Sequence, residues 1–176
     1  MIGLSLGAVK LDLKSIFIRG LLGVTSLAFM TINASAETKV AKDPVSVDLK
    51  TYLISVGKDG NQTAKLVSNV KPNDVIEYRA TYTNNTLGEI KNLSATLPIP
   101  TETQFLGKSK PENAKATTDG INFSPMPLKK KEGNQLVDIP LQDYRALRWT
   151  IAVLPAGKSI TVSAQIQVRS EKAETK

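Results

Sequence analysis

Strict alternation of apolar and polar residues constrains this chain more than any other feature. From Val75 to Thr83, Ile76, Tyr78, Ala80 and Tyr82 share one side, while Glu77, Arg79, Thr81 and Thr83 share the other. Further on, Leu147, Trp149, Ile151 and Val153 alternate with Arg148, Thr150 and Ala152. Ile160, Val162, Ala164, Ile166 and Val168 then alternate with Thr161, Ser163, Gln165, Gln167 and Arg169. A period of two sends neighbouring side chains to opposite faces of a pleated strand. No window has a convincing 3.6-residue period, so helices are not expected.

Turn signals divide the remaining pattern. Val45, Val47 and Leu49 alternate with Ser46, Asp48 and Lys50. The phase slips at Thr51-Tyr52-Leu53-Ile54, which predicts a bulge or a strand that swaps sheets. Asp59-Gly60 predicts a tight turn, and Thr63 to Val70 the returning strand. Lys71-Pro72-Asn73-Asp74 is a second turn and Asn84-Asn85-Thr86-Leu87-Gly88 a loop. Leu93, Ala95 and Leu97 alternate until Pro98 and Pro100 stop the strand. Thr103 to Leu106 begins a short strand containing Phe105. Lys108 to Gln135 is the least regular region, read as short strands around Ala116 and Phe123 between loops. Leu136 to Ile139 predicts one more short strand. Seven to nine short antiparallel strands, each with one apolar face, predict an all-β sandwich.

The chain contains no Cys and no His. The first absence rules out disulfides, thiolate catalysis and lipid attachment through a thiol. The second removes the commonest general base and the commonest transition-metal ligand. Structural zinc sites need one or both. Carboxylate-pair chemistry stays open in principle, but no two acids are placed for it. The sequence therefore predicts no enzyme, no cofactor, no catalytic residue and no metal site.

The first thirty-six residues have a different character. Lys10, Lys14 and Arg19 lead into an uncharged run of thirteen residues, Gly20 to Ile32, which ends at Ala34-Ser35-Ala36. A basic start, a short apolar core and a small-x-small exit predict a secretory signal peptide, cleaved between Ala36 and Glu37. The run is well short of the ~20 residues that a spanning helix needs. The expected organisation is a signal peptide at 1–36, a flexible lead-in at 37–43, the sandwich at 44–169 and a charged tail at 170–176. No membrane span is expected after cleavage, and the expected location is periplasmic or secreted. The chain carries a net +7, of which +2 lies in the leader and +5 beyond it. That moderate basicity favours anionic surfaces and does not by itself indicate nucleic acid.

Two stretches carry a resemblance. One runs from Val70-Lys71-Pro72-Asn73-Asp74-Val75-Ile76-Glu77-Tyr78 through Tyr82-Thr83-Asn84-Asn85 to Asn92-Leu93-Ser94-Ala95-Thr96-Leu97-Pro98. The other is Leu147-Arg148-Trp149-Thr150 followed by Leu154-Pro155-Ala156-Gly157-Lys158-Ser159-Ile160-Thr161-Val162. Together they resemble the conserved repeat domain of bacterial envelope proteins known as domain of unknown function eleven, over roughly Val70 to Arg169. The resemblance implies an immunoglobulin-like sandwich and an envelope location, with no reaction and no catalytic residues. Two positions depart from the family pattern. Asn73 stands where Gly usually precedes the Asp, and Ala95 stands where an Asp usually precedes the Leu-Pro.

Candidate contact residues are few. Lys129-Lys130-Lys131 is the one charge cluster, either a solvated loop tip or a contact for an anionic polymer or lipid headgroup. It has no interleaved aromatics, which argues against single-stranded nucleic acid. Tyr144 and Arg145 lie at a loop–strand junction, and Tyr144 is either a contact residue or a corner tyrosine that caps backbone. Tyr78, Tyr82 and Trp149 are in phase and expected in the core. Asp74, Asp119, Asp138 and Asp143 are expected to serve turns rather than Ca2+. Asn61-Gln62-Thr63, Asn84-Asn85-Thr86 and Asn92-Leu93-Ser94 match the glycosylation pattern, a weak signal.

The function expected from the sequence is an exported, non-enzymatic envelope module. It would bind an envelope protein or anionic surface polymer through strand edges and loops. The alternative is a periplasmic carrier holding a small ligand at the sandwich end, with its mouth between Lys108 and Asp143. N-terminal sequencing of the protein recovered from the envelope fraction of expressing cells is expected to start at Glu37. A start at Met1 contradicts the leader assignment.

Overall fold

The clearest alternation in the sequence becomes the middle of the larger sheet. In the computed structural model, which describes residues 43–170, strand β3 (Val75–Asn84) lies between β1 (Val45–Val56) and β11 (Ser159–Val168). With β2 (Gln62–Leu66) and β5 (Thr103–Lys110) they form a five-stranded sheet in the order β2-β1-β3-β11-β5. A four-stranded sheet has the order β4-β10-β6-β7, from β4 (Ile90–Pro98), β10 (Ala146–Leu154), β6 (Lys115–Thr117) and β7 (Ser124–Pro125). A separate hairpin joins β8 (Lys129–Glu132) to β9 (Gln135–Asp138), and a single-turn 3-10 helix covers Leu141–Asp143. All pairings are antiparallel. The fold is an all-β sandwich, with eleven strands among the described residues where the sequence predicts seven to nine.

The inner faces are the ones that alternation selects. Ile76, Tyr78, Ala80 and Tyr82 of β3 are buried with Val162, Ala164, Ile166 and Val168 of β11. They join Phe105, Ala95, Leu97, Ala116, Leu147 and Trp149 in one core. Removing each large aliphatic side chain from water contributes ~1.5–3 kcal/mol, the main favourable term in a chain without disulfides. Hydrogen bonds tie the two layers together at defined points. The Tyr82 hydroxyl on β3 donates to the Thr96 carbonyl on β4 at 2.6 Å. The Trp149 indole N–H donates to the Pro111 carbonyl at 2.7 Å. Buried Asn84 uses its whole amide: Nδ2 donates to the Gly88 and Leu154 carbonyls at 2.7 and 2.9 Å, and Oδ1 accepts from the Thr86 N–H and hydroxyl. One side chain thus shapes the Asn84–Gly88 loop and holds the end of β10. It has no free amide N–H for a glycan.

Three local expectations need correction. The phase slip at Thr51–Ile54 is neither a bulge nor a sheet swap. β1 runs unbroken against β3, from Val45 opposite Asn84 to Leu53 opposite Ile76. Thr51 occupies an inward slot opposite Tyr78, and Tyr52 and Ile54 point outward, which breaks the apolar pattern without breaking the strand. The register shift in the described sheets lies between β11 and β5, at Ala164/Ile166, where Gly107 takes φ 77°. Val153 is 46% exposed and Leu154 is buried, because β10 ends there in the turn that Asn84 pins. The strand expected from Thr63 to Val70 is Gln62–Leu66, and Val70 goes to the core instead.

Asn73 and Ala95 have physical readings of their own. Asn73 adopts φ 70°, a left-handed conformation that Asn tolerates better than most residues. The Asp74 carboxylate accepts the Lys71 N–H at 2.8 Å and closes the same turn. Ala95 is fully buried opposite Trp149, where a carboxylate would be desolvated.

Tyr144 is fully buried, with its ring 5.9 Å from that of Phe105 and its hydroxyl accepting the Leu128 N–H at 2.7 Å. Tyr144→Phe keeps the ring and orphans that N–H. The expected loss is ~1–3 kcal/mol, read from the midpoint of urea unfolding. An unchanged midpoint contradicts the capping role.

Candidate functional site

The residues singled out for surface contact do not form one patch. Lys129, Lys130 and Lys131 all lie on β8, where alternation sends Lys130 to one side and Lys129 and Lys131 to the other. Lys130 pairs with Glu132 at 2.7 Å, which holds its ammonium above the usual lysine value. Lys129 lies 3.8 Å from Asp138. The β8–β9 turn is Gly133-Asn134, with Gly133 at φ 61°, so the region read as a loop is a tight hairpin. The lysines are solvated and dispersed along it.

Of the two readings of Tyr144, surface contact is excluded and backbone capping holds, because its ring fills the core beside Phe105 and its hydroxyl accepts the Leu128 N–H. Arg145 is half-buried. Its guanidinium donates to the Gln142 and Tyr144 carbonyls at 2.8 and 3.2 Å, which braces the 3-10 turn. Asp119 is also structural. It accepts from the Thr117 hydroxyl, the Ile121 and Asn122 N–H groups and the Asn122 amide, all at 2.7–2.8 Å. Those bonds, led by Thr117, hold its carboxyl far below the usual carboxylate range. No group of three or more metal-ligating side chains occurs among the described residues. No described helix is long and apolar enough to cross a membrane.

Two surface features do stand out. The first is an open sheet edge. Every residue of β2 is exposed, and among the described residues β2 pairs with β1 alone. By register, Tyr52, Ile54 and Val56 of β1 lie on one face with Gln62, Ala64 and Leu66 of β2. Val56 is 65% exposed and Leu66 57% exposed. The opposite edge is less open: a side chain at Gly107 of β5 would stand 3.4 Å from Leu141 of the 3-10 turn.

The second is a cleft of about 410 Å3 on the outer face of the five-stranded sheet. Glu77 of β3 and Ser163 and Gln165 of β11 form its floor. Gln62, at the start of β2, and the Gly107–Lys110 segment of β5 form opposite walls. The Gln165 amide donates to the Gln62 side chain at 3.4 Å, so the β1–β2 hairpin reaches over the sheet. Glu77 is unusual for a nominally wet face, with its side chain only 8% exposed. Its Oε2 accepts from Arg79 at 2.7 Å and its Oε1 from the Ser163 hydroxyl at 2.7 Å. The Arg79 guanidinium also lies 4.1 Å over the Tyr52 ring, which fixes its position. Burial alone would raise the Glu77 pKa. The bonds from Arg79 and Ser163 and the charges of Arg79 and Lys110 outweigh it and hold the carboxyl below its ordinary value.

Sequence reasoning missed this cleft. Glu77 reads as one more polar residue on an outward face, and the reach of the β1–β2 hairpin leaves no mark in composition. The buried Tyr78 hydroxyl is different in kind, since it faces the core. Burial pushes its pKa up to about 12, the Thr51 hydroxyl offsets this only in part, and it makes no well-formed hydrogen bond.

No family model, curated protein or solved structure matches the chain. Function is therefore read from the edge and the cleft themselves.

A carboxyl with a depressed native pKa stabilises the fold above its unfolded value of 4.5, and that contribution is lost as pH falls through the native value. Glu77→Gln should therefore unfold at lower urea than wild type at about pH 7, and the gap should shrink at about pH 3. A gap that widens in acid contradicts the ion-pair assignment.

Proposed function

We propose that the protein is an exported, non-enzymatic module of the cell envelope, periplasmic or secreted, that docks a protein partner or surface polymer through an open strand edge. The observation that carries this reading is β2: exposed along its whole length, unpaired on one side among the described residues, and bearing Leu66 beside Val56 of β1. An extended segment can add to such an edge through backbone hydrogen bonds, with apolar side chains setting its register. The absence of His and Cys supports a binding role over a catalytic one. The leader expected at 1–36 and the resemblance to the immunoglobulin-like envelope repeat support the location.

A second reading, a carrier for a small ligand at the sandwich end, is favoured by an open polar hollow of about 610 Å3 there, lined by Asn73, Gln104, Gln142 and Arg169. Its lining is mostly polar, so it suits a hydrated ligand rather than an apolar one.

The edge reading is tested with a photo-crosslinking residue placed at Lys65 on β2 or at Lys131 on β8 in cells that express the full chain. Discrete adducts are expected from position 65, few from position 131, and loss of the former with Leu66→Lys. Equal labelling at both positions, or adducts unaffected by Leu66→Lys, contradicts edge docking.

A further inference from the structure

The Glu77 cleft goes beyond the edge reading and does not depend on it. Its volume of about 410 Å3 lies within the ~300–1,000 Å3 typical of small-ligand sites. Its floor holds a preorganised hydrogen-bonding array. Each Glu77 carboxylate oxygen makes one side-chain hydrogen bond, to Arg79 or Ser163, and each retains a further acceptor site. Gln165 and Gln62 each present an amide that both donates and accepts, and Ser163 adds a hydroxyl. Neutral hydroxyls match such a mixed array, because each can donate to Glu77 and accept from an amide.

The charge balance narrows the class. Arg79 at 2.7 Å cancels the charge of Glu77, so the floor is locally neutral and offers an ammonium group little attraction. Lys108 and Lys110 on the β5 wall then outnumber Glu112, the remaining acid of the lining. A bare anion would leave the hydroxyl-matching groups of the floor unused. A molecule with hydroxyls for the floor and a negative group for the lysine wall satisfies both. Met126 gives one apolar surface for a ring face.

We propose that this cleft binds a sugar residue bearing a carboxylate, with its hydroxyls on Glu77, Gln62 and Gln165 and its carboxylate on Lys108 and Lys110. Bidentate recognition by arginine is absent on that wall, so the lysines act as two point charges and binding weakens with salt.

The test is titration of the 15N-labelled protein, expressed from the full chain, with galacturonate, trigalacturonate, galactose, alanine and acetate, followed by amide shifts. Galacturonate should give saturable shifts at Gln62, Gly107, Lys108, Ser163 and Gln165. Galactose should bind about tenfold more weakly, roughly 1.4 kcal/mol. Lys108→Ala with Lys110→Ala should remove the preference for galacturonate while leaving the thermal midpoint unchanged, and Lys130→Ala should leave binding intact. Tighter binding of trigalacturonate assigns the residue to a polymer, and equal binding assigns it to the free sugar. Acetate or alanine reproducing the same shifts, galactose binding as tightly as galacturonate, or no saturable shift with any uronate overturns the proposal.

Discussion

Everything in this molecule depends on pressing the inner faces of two sheets together. β3 and β11 sit at the centre of the larger sheet and each put four successive inward positions into the core, from Ile76 to Tyr82 and from Val162 to Val168. With no disulfide available, burial of those faces has to offset the conformational entropy of the chain. The bonds from Tyr82 to Thr96, Asn84 to Leu154 and Trp149 to Pro111 convert a non-directional attraction into a fixed arrangement. Each satisfies a polar group that the core would otherwise desolvate at a cost.

The two surface features follow from the unequal widths of the layers. Five strands face four, and the excess is β2 and part of β1. Leu49 and Leu53 still reach the core in part, whereas Val47 and all of β2 remain exposed. The overhanging hairpin reaches over the outer face and, with the bulged β5 on the far side, encloses Glu77. The same register that leaves an edge open therefore also walls the cleft. A β-bulge at Gly107 lies on that wall beside Lys108 and Lys110, in keeping with the frequent placement of bulges beside sites.

The fold was legible where alternation was regular. β3, β10 and β11 follow it almost residue by residue, and Asp59-Gly60 marks a turn in which Gly60 takes φ 79°. It was less legible where polar residues point inward or apolar ones outward. Thr51 in the core and Ile54 on the surface imitate a phase slip, and Lys129 to Glu132 reads as a charged loop although it is a strand. The site was harder still. Tyr144 and Arg145 carry the side-chain types of a contact patch, but tertiary packing turns one into the core and the other onto local carbonyls. Glu77 gives no local hint of burial, because the groups that cover it come from β2, β5 and the Met126 segment, far away in the chain. The leader and its cleavage positions Ala34, Ala36 and Glu37 lie outside the described residues.

Native-state hydrogen exchange tests the central claim most directly, since it reads the free energy of opening at each amide. If the paired inner faces hold the fold, slowest exchange falls on the central strands, at Tyr78 and Ala80 of β3 and Val162 and Ala164 of β11, at the level of global unfolding. The β2 and β8–β9 amides should exchange far faster. Uniform protection across all strands, or β2 as slow as β3, would contradict a structure organised around that contact.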